Sequence, residues 1–188
     1  LPYWRLRYRV TGLDISPAML AVARRKFPDI EFHQGNMTGF NLDREFDALV
    51  CLYGSIGFVR TVENLGKALV AFAAHLKAGG VLCLTPWSTQ EDFKPDIVVD
   101  SVSNAGVRIA RLENVKLKEP GLVEIDFHHL VGRNGAVTYH QQTMEVGLFS
   151  RQQYTDAIGA AGLELTEYYR GKDMPMGIFV ARKPLPTN

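Results

Sequence analysis

Residues 8–20, YRVTGLDISPAML, leave this chain few folds to choose from. A short apolar run ends in an acid, Asp14, and Ser16 and Pro17 then open a helix with Met19, Leu20, Val22 and Ala23 along one stripe. A serine hydroxyl takes an orphan amide of the first turn. Proline suits the first helical position because its missing donor would have no intrahelical partner there. Lys26 and the two arginines before it fall at the negative end of the helix dipole. Strand, acidic turn and helix in this order predict a doubly wound α/β sheet, where an acid ending the second strand meets both hydroxyls of a ribose. Nicotinamide enzymes use such an acid too, and an aspartate that merely opens a helix is the plainer reading. This stretch alone names no cofactor.

The rest of the chain extends the pattern. Residues 30–33 predict a short strand, and 34–43 a loop that could wall a ligand. Residues 46–53 are a near-continuous apolar run between an acid and a glycine, which predicts a central parallel strand buried on both faces. A helix is expected over 63–76, with Leu65, Leu69, Phe72, Ala73 and Leu76 inward and Gly79 and Gly80 as its stop. A strand over 81–85 completes right-handed parallel crossovers. From residue 88 to 150 the alternation is that of antiparallel strands, with Asn134-Gly135 joining GLVEIDFHHLV to AVTYHQQTMEV as a hairpin. A helix capped by Ser150 and stopped by Gly162, then strands over 164–169 and 177–182, close the sheet. The expected division is a Rossmann-like unit of residues 1–87 and 151–188, with residues 88–150 an inserted antiparallel layer.

Composition removes several function classes. At 188 residues, 46% of them hydrophobic, the chain can bury a core. A net charge of +1 with mixed signs argues against a nucleic-acid surface, and no apolar run is long enough to span a bilayer as a helix. A cytoplasmic protein without nucleic-acid or membrane partners is the expectation. Cys51 and Cys83 read as buried thiols rather than a disulfide, and no zinc-type spacing predicts a metal site.

Four stretches, GLDISPAML, QGNM, FDALVCLYGSIG and LKAGGVLCLTPW, resemble the class I S-adenosylmethionine-dependent methyltransferases. REFDALVCLYGSIG, PWSTQEDF and GLFSRQQYTDAIGAAG are more closely similar to the small bacterial N-methyltransferases that dimethylate nucleotide-linked amino sugars. The likeness runs over residues 9–183. It implies S-adenosylmethionine as cofactor, S-adenosylhomocysteine as product, and a small-molecule amine as acceptor. It places Asp14, followed by Ile15, on the ribose, and Met19 on the adenosine side, although the spacing of Met19 suits a core residue equally. Asn36 and Met37 match the position that receives adenine. The usual residue there is an aspartate, and the amide oxygen of Asn36 accepts the same bond. Leu52, Tyr53, Gly54 and Ser55 match the place where the fourth strand opens onto the donor. The family commonly follows its SIG tripeptide with a histidine, where this chain has Phe58.

An amine acceptor must lose a proton, so a base near the sulfonium is useful. Of His33, His75, His128, His129 and His140, the family likeness points to the inserted strand that holds His128 and His129. Strand alternation puts His129 with Val123, Ile125 and Phe127, and His128 with Glu124 and Asp126. His128 is the preferred base by a narrow margin, and the inserted layer is a candidate acceptor pocket and homodimer contact. A non-catalytic or truncated methyltransferase-fold interaction module and, more weakly, an NAD-dependent reductase are the alternatives. The fold also calls for a first strand with a glycine-rich turn ahead of Tyr8, and residues 1–9 contain neither. An opening is therefore expected in mid-sheet, between the strands ending at Asp14 and Tyr53, unless residues 4–7 or another chain supply a strand.

Overall fold

The computed structural model describes residues 4–186. Trp4–Leu6 form a single 3-10 turn. β1 (Thr11–Asp14) leads into α1 (Pro17–Lys26), where the Ser16 hydroxyl accepts the amide of Met19 and Pro17 takes the first helical position. β2 (Glu31–Gln34) pairs in parallel with β1. β3 (Phe46–Cys51) precedes a 3-10 turn, Ser55–Val59, and α2 (Val62–Ala74), whose cap is the Thr61 hydroxyl. β4 (Leu76–Leu84) then pairs in parallel with β3.

An antiparallel sheet of four long strands follows, in the order β5 (Asp96–Asn104), β6 (Val107–Glu119), β7 (Leu122–Arg133) and β8 (Ala136–Gly147). Two-residue turns join its hairpins. Asn134 and Gly135 have φ of 51° and 76°, and Ala105 and Gly106 have 44° and 80°, the left-handed pair that tight hairpins need. At its base Val115, Val123, Ile125 and Val146 pack with Trp87 and Phe93. α3 (Arg151–Ala160) starts with a capping box of Ser150 and Gln153. β9 (Glu164–Gly171) and β10 (Met174–Arg182) complete a sheet of order β3-β4-β10-β9. Its core holds Leu65, Leu69, Phe72, Leu82, Tyr154 and Phe179, each at most 3% exposed. Burying each such side chain stabilises by about 1.5–3 kcal/mol.

Three expectations need correction. α2 ends at Ala74 rather than Leu76, and β4 starts at Leu76 and runs through both glycines. Gly79, at φ +76°, donates its amide to the Lys183 carbonyl, and Lys183 donates back to Gly80, so tertiary pairing holds a glycine pair that reads locally as a stop. β3 is not buried on both faces either: Asp47 and Ala48 are exposed and Val50 is 41% exposed. Nor do residues 4–7 supply a substitute strand, since that segment is the 3-10 turn. Tyr3 lies outside the described residues.

The exposure of β3 has a direct cause. Among the described residues no backbone ladder joins β1 to β3, and β1-β2 stands as a sheet separate from β3-β4-β10-β9. A cavity of 1170 Å³ lies between them, lined by apolar groups that include Leu13, Leu20, Phe32, Leu49, Val50 and Phe72. The opening thus falls in the expected place. No helix among the described residues is long and apolar enough to cross a membrane.

Candidate functional site

Parallel strands bring their carboxyl ends to one edge, and here β1 and β3 end on the same cavity. Asp14 closes β1. One of its carboxylate oxygens accepts the Ser16 amide at 2.8 Å, which locks the turn into α1, and the other has no hydrogen-bond partner among the described residues. That spare acceptor is what a ribose hydroxyl requires. Ile15 is 62% exposed, with its carbonyl accepting from the Gln34 amide. Met19, on the first turn of α1, faces the cavity. Met37 lines it as well and packs against the core. Asn36 does not line it, and its side-chain oxygen accepts the Thr38 amide at 3.1 Å in a local turn. A carbonyl oxygen keeps a second lone pair in such a turn.

At the end of β3, Leu52 and Ser55 line the cavity and Tyr53 and Gly54 do not. The Ser55 hydroxyl donates to the Leu52 carbonyl and folds the chain into the 3-10 turn. Tyr53 is 87% exposed and held at φ +56°, a conformation that L-residues pay for in strain. Gly54, at φ +73°, sits under Trp87, and its amide lies 3.5 Å from the Thr85 hydroxyl. Its smallness thus serves the approach of a protein backbone. Cys51 also borders the cavity, and burial pushes its thiol up to about 12, so it stays protonated and packs as an apolar group.

The inserted sheet carries the two histidines on opposite faces. Cross-strand partners place Leu112, His128 and Gln141 in one row and Arg111, His129 and His140 in the next. His128 Nδ1 lies 2.6 Å from the Tyr139 hydroxyl, which in turn donates to Gln141 Oε1 at 3.4 Å. Further down the same face, Lys116 pairs with Glu124 at 2.8 Å and Asp126 at 3.2 Å, and Lys118 pairs with Glu145. Thr143 and Lys116 hold the Asp126 carboxyl below its ordinary range. His129 stacks on Phe127, ring centroids 6.0 Å apart, on the face that continues from Trp87 and Phe93. Tyr139 was not singled out from the sequence. Pairing counted back from the Asn134-Gly135 turn sets it diagonal to His128, and that was the available signal. Among the described residues no group of three or more His, Cys, Asp or Glu is placed to hold a metal ion.

Comparison with known proteins identifies the family. A family profile described as a methyltransferase domain matches residues 2–80. The chain is 37% identical over 171 residues to the dTDP-3-amino-3,6-dideoxy-alpha-D-glucopyranose N,N-dimethyltransferase of Streptomyces fradiae, covering 90% of this chain and 67% of that protein. It is 36% identical to the dTDP-3-amino-3,4,6-trideoxy-alpha-D-glucopyranose N,N-dimethyltransferase of Streptomyces venezuelae, over 90% of this chain and 71% of the relative. Among solved structures, an S-adenosylmethionine-bound amino pentose methyltransferase from Micromonospora echinaspora superposes with a TM-score of 0.89 at 34% identity, over 97% of this chain and 77% of that one. With likeness of this degree over nearly all its length, the chain belongs to the class I S-adenosylmethionine-dependent methyltransferases, in the branch of the bacterial nucleotide-amino-sugar N,N-dimethyltransferases.

Proposed function

We propose that this protein transfers methyl groups from S-adenosylmethionine to the amine of a nucleotide-linked amino sugar. The observation that carries the reading is the convergence of Asp14, at the end of β1, and Leu52 and Ser55, beyond β3, on one cavity in a chain of this family. The spare oxygen of Asp14 takes a ribose hydroxyl, Met19 and Met37 offer apolar contact to the adenosine, and Leu52 and Ser55 bound the other side. S-adenosylmethionine supplies an activated methyl: the N–C bond forms as the S–C bond breaks, leaving a thioether and one proton to be shed from the acceptor nitrogen. The protein then has little covalent work. Holding two reactants in line is worth up to about ten kcal/mol, and the remaining task is to take that proton.

We assign proton acceptance to His128 and acceptor binding to the layer of residues 88–150. What supports His128 is that one ring nitrogen is engaged by Tyr139 while Nε2 has no hydrogen-bond partner among the described residues. His129 is a second reading, favoured by its place on the face that continues from Trp87. The same sheet presents exposed Ile97, Val99, Leu130, Val137 and Tyr139, which supports a homodimer contact that sedimentation would test. The free thiols Cys51 and Cys83 fit a reducing compartment such as the cytoplasm.

The decisive experiment incubates the full-length protein with S-adenosylmethionine and a panel of dTDP-amino sugars, read by mass spectrometry. A gain of one or two methyl groups is expected. Stabilisation by NAD rather than S-adenosylhomocysteine in a thermal shift would favour a reductase, and stabilisation by neither would favour an interaction module.

A further inference from the structure

We propose that His75 is a positioning residue for donor binding: its ring holds the far end of the loop between β2 and β3, which carries Met37 to the cavity wall. The proposal rests on the reading of that cavity as the donor site. The loop is anchored twice. At its start the Gly35 amide donates to the Asp14 carbonyl at 3.0 Å, and at its end the Leu42 amide donates to Nε2 of His75 at 3.0 Å. Between these anchors a tight turn over residues 36–39 is closed by the Gly39 amide on the Asn36 carbonyl. Met37, Phe40 and Leu42 all line the cavity, whereas His75 does not and is 5% exposed. Its ring also stacks on Phe40, with centroids 4.2 Å apart and planes at 25°.

The two bonds fix the state of the ring. Nδ1 faces the Ala71 carbonyl at 2.8 Å, in the last turn of α2, where helix carbonyls lack intrahelical amides. A carbonyl only accepts, so Nδ1 carries the hydrogen, and a backbone amide only donates, so Nε2 offers its lone pair. One neutral tautomer satisfies both partners. An imidazolium would turn an N–H toward the Leu42 N–H, two donors face to face, and release that end of the loop. The last turn of α2 is uncharged, and the charged groups on the neighbouring elements are engaged elsewhere: Asp43 with Asn41, Arg44 with Glu31, Glu45 with Lys183 and Lys77 with Asp47. None of them hydrogen-bonds the imidazole among the described residues, so the Leu42 contact answers to the protonation of His75 itself.

His75→Phe keeps a flat ring beside Phe40 and removes the acceptor. His75→Gln keeps an acceptor of similar reach that does not titrate. In the full-length protein, His75→Phe should weaken S-adenosylhomocysteine binding roughly tenfold in calorimetry, the effect of one buried amide left without a partner. KM for S-adenosylmethionine should rise with it, while KM for the acceptor and kcat at saturating donor stay within about twofold of wild type. Hydrogen exchange at the Leu42 amide should quicken by roughly tenfold or more in the same variant. Donor affinity of the wild type should fall on acidification from about pH 7.5 to about pH 5.5, and His75→Gln should hold near wild-type affinity across that range. Unchanged donor affinity in His75→Phe, even with lower stability in urea, would overturn the positioning role, as would the same pH dependence in wild type and His75→Gln. A wild type that binds no S-adenosylhomocysteine at either pH would overturn the donor reading of the cavity, and this proposal with it.

Discussion

Trp87 lies over Gly54 so closely that a Cβ on residue 54 would stand 2.6 Å from the Trp87 Cα. The contact clamps the loop after β3 to the segment that leads into the inserted sheet, so one glycine sets how closely those two segments approach. Gly54→Ala meets two penalties, the left-handed φ and the clash with backbone, which together should cost about 2–4 kcal/mol. Urea unfolding should show that loss, and a variant as stable as wild type would mean that Trp87 moves freely.

Asp14→Ala should weaken S-adenosylhomocysteine binding by about 1.5–3 kcal/mol, the value of hydrogen bonds to a charged group. Calorimetry is the measurement. Because Asp14 also accepts the Ser16 amide, a smaller fall in folding stability should accompany it, and unchanged affinity would move the ribose elsewhere.

His128→Ala should retain donor binding and lose about two to four powers of ten in turnover. His129→Ala is the matched control from the opposite face of β7. An inactive His129 variant beside an active His128 variant would reassign the base to the face that carries Phe127 and Trp87.

Acid should loosen the inserted sheet before neutral pH does. Hydrogen bonds from Thr143 and Lys116 hold Asp126 below its ordinary 3.8, and Lys118 holds Glu145 below 4.5. A carboxyl depressed by folding stabilises fully above its unfolded value, and that stability is lost as pH falls through the folded value. Tm should therefore be level down to about pH 5 and decline below it. Lys116→Met should make the decline shallower, and an identical slope in the variant would remove Lys116 from the account.

Helices were legible in this sequence where their ends carried chemistry of their own. Ser16-Pro17 and Ser150 announce α1 and α3 because each serine hydroxyl satisfies an orphan amide three residues on. The Asn134-Gly135 turn likewise settles the β7–β8 register, since few residues adopt two left-handed conformations in succession. What escaped depends on partners distant in sequence. Gly79 and Gly80 belong to a strand because Lys183, more than a hundred residues on, takes and returns their hydrogen bonds. In the candidate site Asp14 was visible from its place after a strand, whereas the contact of Tyr139 with His128 runs diagonally across the hairpin.

Among the described residues no backbone ladder joins β1-β2 to β3-β4-β10-β9, so Asp14 and Leu52 stand on separate sheets. A ligand that bridged the two would tie those sheets together, and its binding should slow hydrogen exchange in β1 and β3 alike.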